Sequence, residues 1–323
     1  MTSAFVIREP GGPEAMSFEQ RLVGGPKVGE IRVMNRAIGV NFVDVYQRSG
    51  AYKVELPFVP GNEGAGEVVA VGEGVTDFKI GDRVGYTGPV GAYAQERILP
   101  AARAVHLPQG IDFETAAAVM LKGGTAQYLL FETHPVKAGE TLLIHAAAGG
   151  VGSILVQWAS ALGAKVIATA GSDEKVALAK SYGAEIAINY RNGDWSKAVR
   201  SATDGKGVDV VYDGVGQATW EGSLDCLRPR GLMVSYGSAS GYVTVPNLTI
   251  LSQKGSLYVT RPTTGHYHGT TEQLRASIGA VFDAVLGGKV KVAVNQKFPL
   301  EKAAEAHKAL EARETTGATL LVP

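Results

Sequence analysis

The residues best suited to chemistry form a short glycine-rich run, Ile144-His145-Ala146-Ala147-Ala148-Gly149-Gly150-Val151-Gly152. It follows an apolar strand-like stretch, TLLIHA, and opens a helical one, VGSILVQWASALG. A strand–turn–helix of this kind holds a dinucleotide. Small side chains let the chain turn sharply and let the backbone N–H groups of Ala148, Gly149, Gly150 and Val151 approach a pyrophosphate. The helix start adds partial positive charge there. Ala147 stands where a strict G-x-G-x-x-G has its first glycine, and a tight turn does not by itself require a ligand. The five further strands of the same region make the dinucleotide the expected occupant.

The tip of the second strand selects among dinucleotides. An NAD site has an acid there to accept hydrogen bonds from both ribose hydroxyls. Here KVIATA ends in Ala170-Gly171-Ser172. Ser172 and Lys175 offer a hydroxyl and an ammonium suited to a 2′-phosphate, and Tyr190-Arg191 at the end of the third strand adds a donor and a cation. NADPH is the expected cofactor, although a solvated Lys175 beside Asp173 and Glu174 would also be unremarkable on a helix.

These residues need a scaffold, and the chain supplies one. From about Glu140, apolar runs alternate with amphipathic helices, giving six strands: TLLIHAA, KVIATA, EIAINY, VDVVYDGVG, GLMVSYG and GSLYVTR. Nearly continuous apolar strands predict a parallel sheet covered on both faces, a doubly wound Rossmann domain of the α/β class. Residues 4–8 and 29–38 alternate like half-buried strands, and the runs up to GAYAQERIL read as an irregular β domain. Helical spacing begins at Phe113, with Asp112 as N-cap, and continues towards Leu130. A helix at Thr271–Leu286, a strand near Val290–Val294, a helix at Glu301–Arg313 and a final strand ATLLVP resemble the first part more than the middle. The expected division is a discontinuous outer domain, residues 1–124 and 262–323, around a Rossmann core at 125–261.

Composition narrows the function classes. The 323 residues carry 31 basic and 31 acidic side chains, so zero formal net charge argues against broad attraction to nucleic acid or an anionic membrane. Cys226 is the single cysteine, which rules out a disulfide within the chain and suits a reducing compartment. The start, MTSAFVIREPGG, lacks a secretory pattern, and apolar stretches are too short or interrupted to span a bilayer. A cytoplasmic location is expected.

AAAGGVG, NEGAGEVVAVGEGV, AIGVNFVDVYQRSGAY and LDCLRPRGLMVSYGSASG, in this order along nearly the whole chain, resemble the zinc-independent quinone oxidoreductases (the zeta-crystallin group) of the medium-chain dehydrogenase/reductase superfamily. The resemblance implies a partly open, GroES-like β-barrel catalytic domain, a Rossmann domain, a cleft between them, NADPH-dependent quinone reduction and a homodimer. Zinc-containing alcohol dehydrogenases of that superfamily use a Gly-His-Glu segment for one zinc ligand, whereas this chain reads Gly61-Asn62-Glu63. A structural zinc would need four clustered cysteines. His266-Tyr267-His268 lacks a third ligand and reads as a surface pair, so no metal is expected.

Without a Lewis acid the acceptor must already be electrophilic, and a quinone qualifies because its developing oxyanion is a stabilised phenolate. The resemblance places Asn41, Tyr46 and Tyr52 near the cleft: Asn41 to fix the nicotinamide or ribose, the tyrosines to donate to the acceptor oxygen or line its site. Packing at a domain edge would explain both tyrosines equally. Cofactor contacts carried over at matching positions are Thr125, Gly214 and Gly216, Tyr236-Gly237-Ser238, and Thr260-Arg261 with Arg313. Asp44 and Glu63 are candidate buried acids that structural hydrogen bonding would also explain, and Lys122 has no assigned role. A second enzyme reading is reduction of an activated C=C bond in alkenals, enones or enoyl thioesters, which adds a proton at the α carbon. A non-enzymatic role in binding single-stranded nucleic acid or as a structural protein is disfavoured by the absence of a basic, aromatic-rich tract.

Overall fold

The computed structural model describes residues 1–245 and 247–323. β1 (Thr2–Ile7) and β2 (Met16–Arg21) form an antiparallel hairpin. β3 (Glu30–Val40) leads into α1 (Phe42–Arg48), followed by β4 (Glu63–Val71), β5 (Arg83–Thr87), β6 (Glu96–Pro100) and β7 (Ala104–His106). β3 alternates half-buried and buried residues over Glu30–Asn35, as its sequence predicts, but is buried throughout Ala37–Val40, and two register shifts bend it. α2 (Phe113–Tyr128) starts at the expected cap, where Asp112 Oδ1 accepts the Thr115 N–H at 2.7 Å.

The next stretch alternates strand and helix: β8 (Thr141–Ile144), α3 (Gly150–Ala161), β9 (Lys165–Ala170), α4 (Asp173–Ser181), β10 (Ile186–Asn189), α5 (Trp195–Ala202), β11 (Val208–Asp213), α6 (Trp220–Cys226), β12 (Leu227–Ser235), α7 (Thr249–Gln253), β13 (Tyr258–Thr260) and α8 (Thr264–Tyr267). The six strands are all parallel, in the order β10-β9-β8-β11-β12-β13. This is the Rossmann arrangement, whose ligands bind beyond the carboxyl ends where the strand order reverses, here between β8 and β11. Leu143, Val211 and Met233 are wholly buried on these strands, each contributing about 1.5–3 kcal/mol of burial.

The chain then returns through α9 (Thr271–Leu286), β14 (Val294–Pro299), α10 (Ala303–Glu311) and β15 (Ala318–Val322). β15 pairs antiparallel with β3, Thr319 opposite Val40, and completes a sheet ordered β14-β15-β3-β4-β5-β7, with β6 also on β3. Gly123 and Gly124 do not interrupt α2, because α9 and His268 pack onto them: a Cβ would meet Val281 Cγ1 at 2.6 Å or His268 Cε1 at 2.7 Å.

One compact unit comprises Met1–Gly124, His268–Leu286 and Val292–Pro323, and the other Thr125–Tyr267 with Gly287–Lys291. The return thus comes at His268, not at 262. Tyr267 stacks on Tyr128 at 4.4 Å and accepts a hydrogen bond from Thr133, which keeps α8 with the Rossmann unit. Gln157 likewise brackets Lys291 with two hydrogen bonds. The strand expected near Val290–Val294 lies at Val294–Pro299, because Val290 is a buried packing residue and the strand itself is a half-exposed edge. The last helix is shorter than Glu301–Arg313: a 3-10 turn over Leu300–Lys302 precedes it, and Arg313 lies beyond its end at φ +59°. Among the described residues no helix is long and apolar enough to cross a membrane.

Candidate active site

The glycine-rich turn is built to leave N–H groups open. Ala146 adopts φ +49°, a conformation costly for a residue with a Cβ, and the Gly149 N–H closes the turn on its carbonyl at 2.9 Å. Gly149 caps α3 with no side-chain hydrogen bond, and the first turn carries no acid. The positive end of this 12-residue helix is therefore not countered by an acid of its own first turn. A Cβ at Gly152 would strike the Ala146 carbonyl, whose carbon stands at 2.9 Å. Ala148 is buried, while Gly149, Gly150 and Val151 are partly exposed. This donor set fits a dinucleotide pyrophosphate.

At the tip of β9, Ser172 is the N-cap of α4, its Oγ accepting the Lys175 N–H at 3.3 Å. The Ser172 hydroxyl also holds the exposed Glu174 carboxyl below its ordinary pKa. Tyr190 lies so close over Gly171 that a Cβ there would meet its ring carbon Cζ at 2.9 Å. Asn189 donates to Asp173 at 2.7 Å and accepts from the Arg191 N–H at 3.0 Å, which ties the end of β10 to the start of α4. Ser172, Lys175 and Tyr190 therefore belong to one local corner, as their proposed joint role needs.

The remaining expected contacts of this unit sit at strand ends. Gly214 and Gly237 approach backbone to backbone, and a Cβ at Gly237 would lie 2.7 Å from Gly214 Cα. Gly216 takes φ +96°, and Thr125 and Ser238 are buried. Arg261 donates to the Ser235 carbonyl at 2.9 Å, the Gly237 carbonyl at 2.8 Å and Ser238 Oγ at 3.0 Å. It clamps the Tyr236-Gly237-Ser238 turn, and Thr260 pairs with Val234 beside it. Sequence reasoning missed four buried polar residues beneath these turns: His145, Thr169, Asp213 and Ser223. His145 stands inside the glycine-rich run, but nothing local marks its partners.

In the other unit, Asn41 caps α1 in a reciprocal box: its side chain accepts from the Asp44 N–H and Asp44 Oδ2 accepts from the Asn41 N–H at 2.8 Å. Asn41 Nδ2 donates to Glu63 Oε1 at 2.8 Å. Glu63 is wholly buried and also takes the Lys122 ammonium at 2.5 Å and the Leu121 N–H at 2.6 Å. Lys122 is thus a buried ion-pair partner. Asp44 accepts from Asn62 Nδ2 at 2.6 Å and Tyr93 OH at 3.1 Å, yet burial outweighs these donors and raises its pKa to about 6.

Behind Asp44 runs a directed chain. Burial lowers His307 to about 3, so its ring is neutral. Tyr93 OH donates to Asp44 and accepts from His307 Nε2 at 2.9 Å, and His307 Nδ1 accepts from Arg48 Nη1 at 3.0 Å. Arg48 forks onto Glu311 at 2.8 and 2.9 Å. Both ends of α1 are therefore pinned. Tyr46 on this helix is half-buried, its ring 5.2 Å from that of Tyr52, which is 37% exposed. The structure thus sets Tyr46 and Tyr52 ring against ring, and puts Asn41 at the N-terminus of the helix that carries Tyr46.

Asn62, in the place of the zinc-ligand histidine, donates to Asp44 and to Gln47 Oε1 at 2.7 Å. Among the described residues no three His, Cys, Asp or Glu side chains are grouped to hold a metal. Of the two histidines expected at the surface, His266 is exposed, but His268 is buried against Ser277 at 2.9 Å, and burial lowers its pKa to about 4. Arg313, expected within the last helix, is instead the left-handed residue that ends it.

Two family models match the chain: "Alcohol dehydrogenase GroES-like domain" over residues 27–137 and "Zinc-binding dehydrogenase" over residues 150–278. The chain is 55% identical to a Pseudomonas aeruginosa protein named quinone oxidoreductase, covering 97% of each. It is 46% identical to a Burkholderia 2-haloacrylate reductase, covering 100% of this chain and 99% of that protein. The solved structure of Escherichia coli quinone oxidoreductase complexed with NADPH matches with a TM-score of 0.97 at 48% identity, covering 99% of this chain and 100% of that one.

Proposed function

The chain belongs to the zinc-independent quinone oxidoreductases of the medium-chain dehydrogenase/reductase superfamily, and from that membership we propose that it reduces small ortho- or para-quinones with NADPH. The observation that carries this reading is end-to-end similarity to a quinone oxidoreductase at 55% identity. Bound NADPH supplies a hydride, which a quinone accepts because the oxygen that gains charge becomes a phenolate. The α3 N-terminus receives the pyrophosphate. Ser172, Lys175 and Tyr190 receive the 2′-phosphate. Thr125 and the Gly214–Gly216, Tyr236–Ser238 and Thr260–Arg261 turns form the rest of the cofactor site, and Arg313 is a further candidate contact. Asn41, besides capping α1, is the candidate to fix the nicotinamide or ribose, and Tyr46 and Tyr52 donate to the acceptor oxygen or line its site.

Steady-state oxidation of NADPH and NADH with a small quinone tests the reading. We expect kcat/KM for NADPH to exceed that for NADH by at least about tenfold, the worth of one good charge-assisted contact to the 2′-phosphate. Equal efficiency would sink the NADPH assignment. The resemblance to a 2-haloacrylate reductase keeps a second reading, reduction of an activated C=C bond. Turnover of 2-haloacrylate without turnover of quinone would favour it, and a tyrosine whose Phe variant keeps parental kcat/KM on both substrates is not the donor.

We also propose a cytoplasmic homodimer. β13 stands last in the Rossmann sheet, and Tyr258 is 61% and Val259 39% exposed along it. An open apolar edge suits pairing with a second copy. Light scattering should give twice the chain mass; a monomer at micromolar concentration would exclude the dimer.

A further inference from the structure

Four polar side chains lie buried beneath the proposed cofactor turns. The strand register sets Ile144 beside both Ala168 and Tyr212. The next residue along each strand, His145, Thr169 and Asp213, therefore lies in one row at the carboxyl ends of β8, β9 and β11. Ser223 reaches this row from α6, and all four are at most 1% exposed. Four donors converge on the Asp213 carboxylate: the Val215 and Gly216 N–H groups at 2.7 and 3.1 Å, Thr219 Oγ1 at 2.6 Å and Ser223 Oγ at 3.2 Å.

That acceptor orders the rest. With its proton directed at Asp213, the Ser223 hydroxyl accepts a hydrogen bond from His145 Nε2 at 3.0 Å, and His145 Nδ1 accepts one from the Thr169 hydroxyl at 2.7 Å. Burial lowers the His145 pKa and keeps the ring neutral, and Trp195 covers it edge-on at 4.9 Å. The chain runs in one direction, Thr169 to His145 to Ser223 to Asp213.

Each member adjoins a turn of the proposed cofactor site. His145 directly precedes Ala146, the residue at φ +49°. The Thr169 carbonyl accepts the Ala147 N–H at 3.1 Å, and β9 ends one residue later, before Gly171-Ser172. Asp213 holds the Gly214–Gly216 turn by its carboxylate, and its carbonyl accepts from the Tyr236 and Gly237 N–H groups at 2.9 and 3.3 Å. Leu143, Ile167 and Val211 fill the same sheet two residues back on their strands, so apolar side chains are compatible with this environment. A buried polar network carries a desolvation cost that geometry must offset, and it rigidifies only when fully satisfied.

We propose that Thr169, His145, Ser223 and Asp213 are positioning residues whose hydrogen-bond chain locks four turns into one preformed dinucleotide cradle. The proposal rests on the cofactor reading above. Its loss weakens NADPH binding while leaving the fold and the chemical step largely intact.

Thr169→Val keeps the branched shape and removes the proton given to His145, Thr169→Ser restores it, and Ser223→Ala cuts the far end. Calorimetric titration of the full chain with NADPH should show Kd raised about five- to tenfold in the Val and Ala variants and within about twofold of the parent in the Ser variant, with kcat at saturating NADPH nearly unchanged. Parental Kd in both Val and Ala variants overturns the proposal, and so does a Ser variant as weak as Val, because volume and not the hydroxyl would then matter. Should Thr169→Val fail to fold, Ser223→Ala carries the test alone. A parent chain that does not bind NADPH overturns the cofactor reading and this proposal with it; a parent that binds alongside unaltered variants overturns the network only.

Discussion

Replacing Gly152 with Ala is expected to raise the NADPH Kd by about 100-fold, equivalent to about 3 kcal/mol. The added methyl would collide with the Ala146 carbonyl, and the atoms around it, Ala146 C and Ala147 Cα at 2.9 Å, are also backbone. No side chain is available to rotate away. Relief requires α3 to lift from the turn, which carries the Gly150 and Val151 N–H groups away from the pyrophosphate position and opens the Gly149–Ala146 hydrogen bond of 2.9 Å. Gly279→Ala is the control, since a Cβ there has nothing within 4 Å. It should leave Kd unchanged and stabilise α9 by about 0.5–1 kcal/mol. If the Gly152 variant titrates with NADPH as the parent does, the close turn is not the pyrophosphate site.

The second large effect concerns stability. Lys122→Met should cost about 3–5 kcal/mol of unfolding free energy, because it strands the Glu63 carboxylate in the protein interior. The pair is 2.5 Å apart with side chains 6% and 0% exposed, so water cannot replace the lost cation. Asn41 Nδ2 and the Leu121 N–H remain as donors, which limits the loss but leaves the charge uncompensated. Adding Glu63→Gln to Lys122→Met removes that charge and should recover more than half of the deficit. Denaturant unfolding of the parent, both single variants and the double variant measures the coupling. A Lys122→Met chain within about 1 kcal/mol of the parent would mean that the pair contributes little to stability.

Lys122 illustrates a limit of sequence reading. On a helix beside Gly123 it looks like any solvated lysine, and its partner stands 59 positions earlier. The same holds for His268, whose Gly/Thr-rich surroundings suggest a surface loop until Ser277 of α9 is seen against it. Arg261 ends a strand, and the hydrogen bonds that tie it to Ser235, Gly237 and Ser238 of the neighbouring turn have no local signature in the sequence. The position of β14 is hard to read from sequence, since an edge strand paired with β15 has a weak apolar signal.

Other features were legible because their causes are local. Asp112 and Ser172 cap the helices that follow them through bonds spanning three residues. α9 begins and ends where its 3.6-residue spacing says it should. The six apolar strands alternating with helices admitted little besides a parallel, doubly wound sheet.

The glycine-rich turn shows where the two kinds of information meet. Residue type alone determined that Ala148 to Gly152 could turn tightly and expose N–H groups, since that depends on small side chains a few positions apart. Only the tertiary structure decided what holds the turn in place. His145, Thr169, Asp213 and Ser223 are spread over 78 positions, and their meeting depends on which strands pair and in what register. Short-range sterics are written residue by residue in the chain; long-range hydrogen bonding exists only once the sheet has assembled.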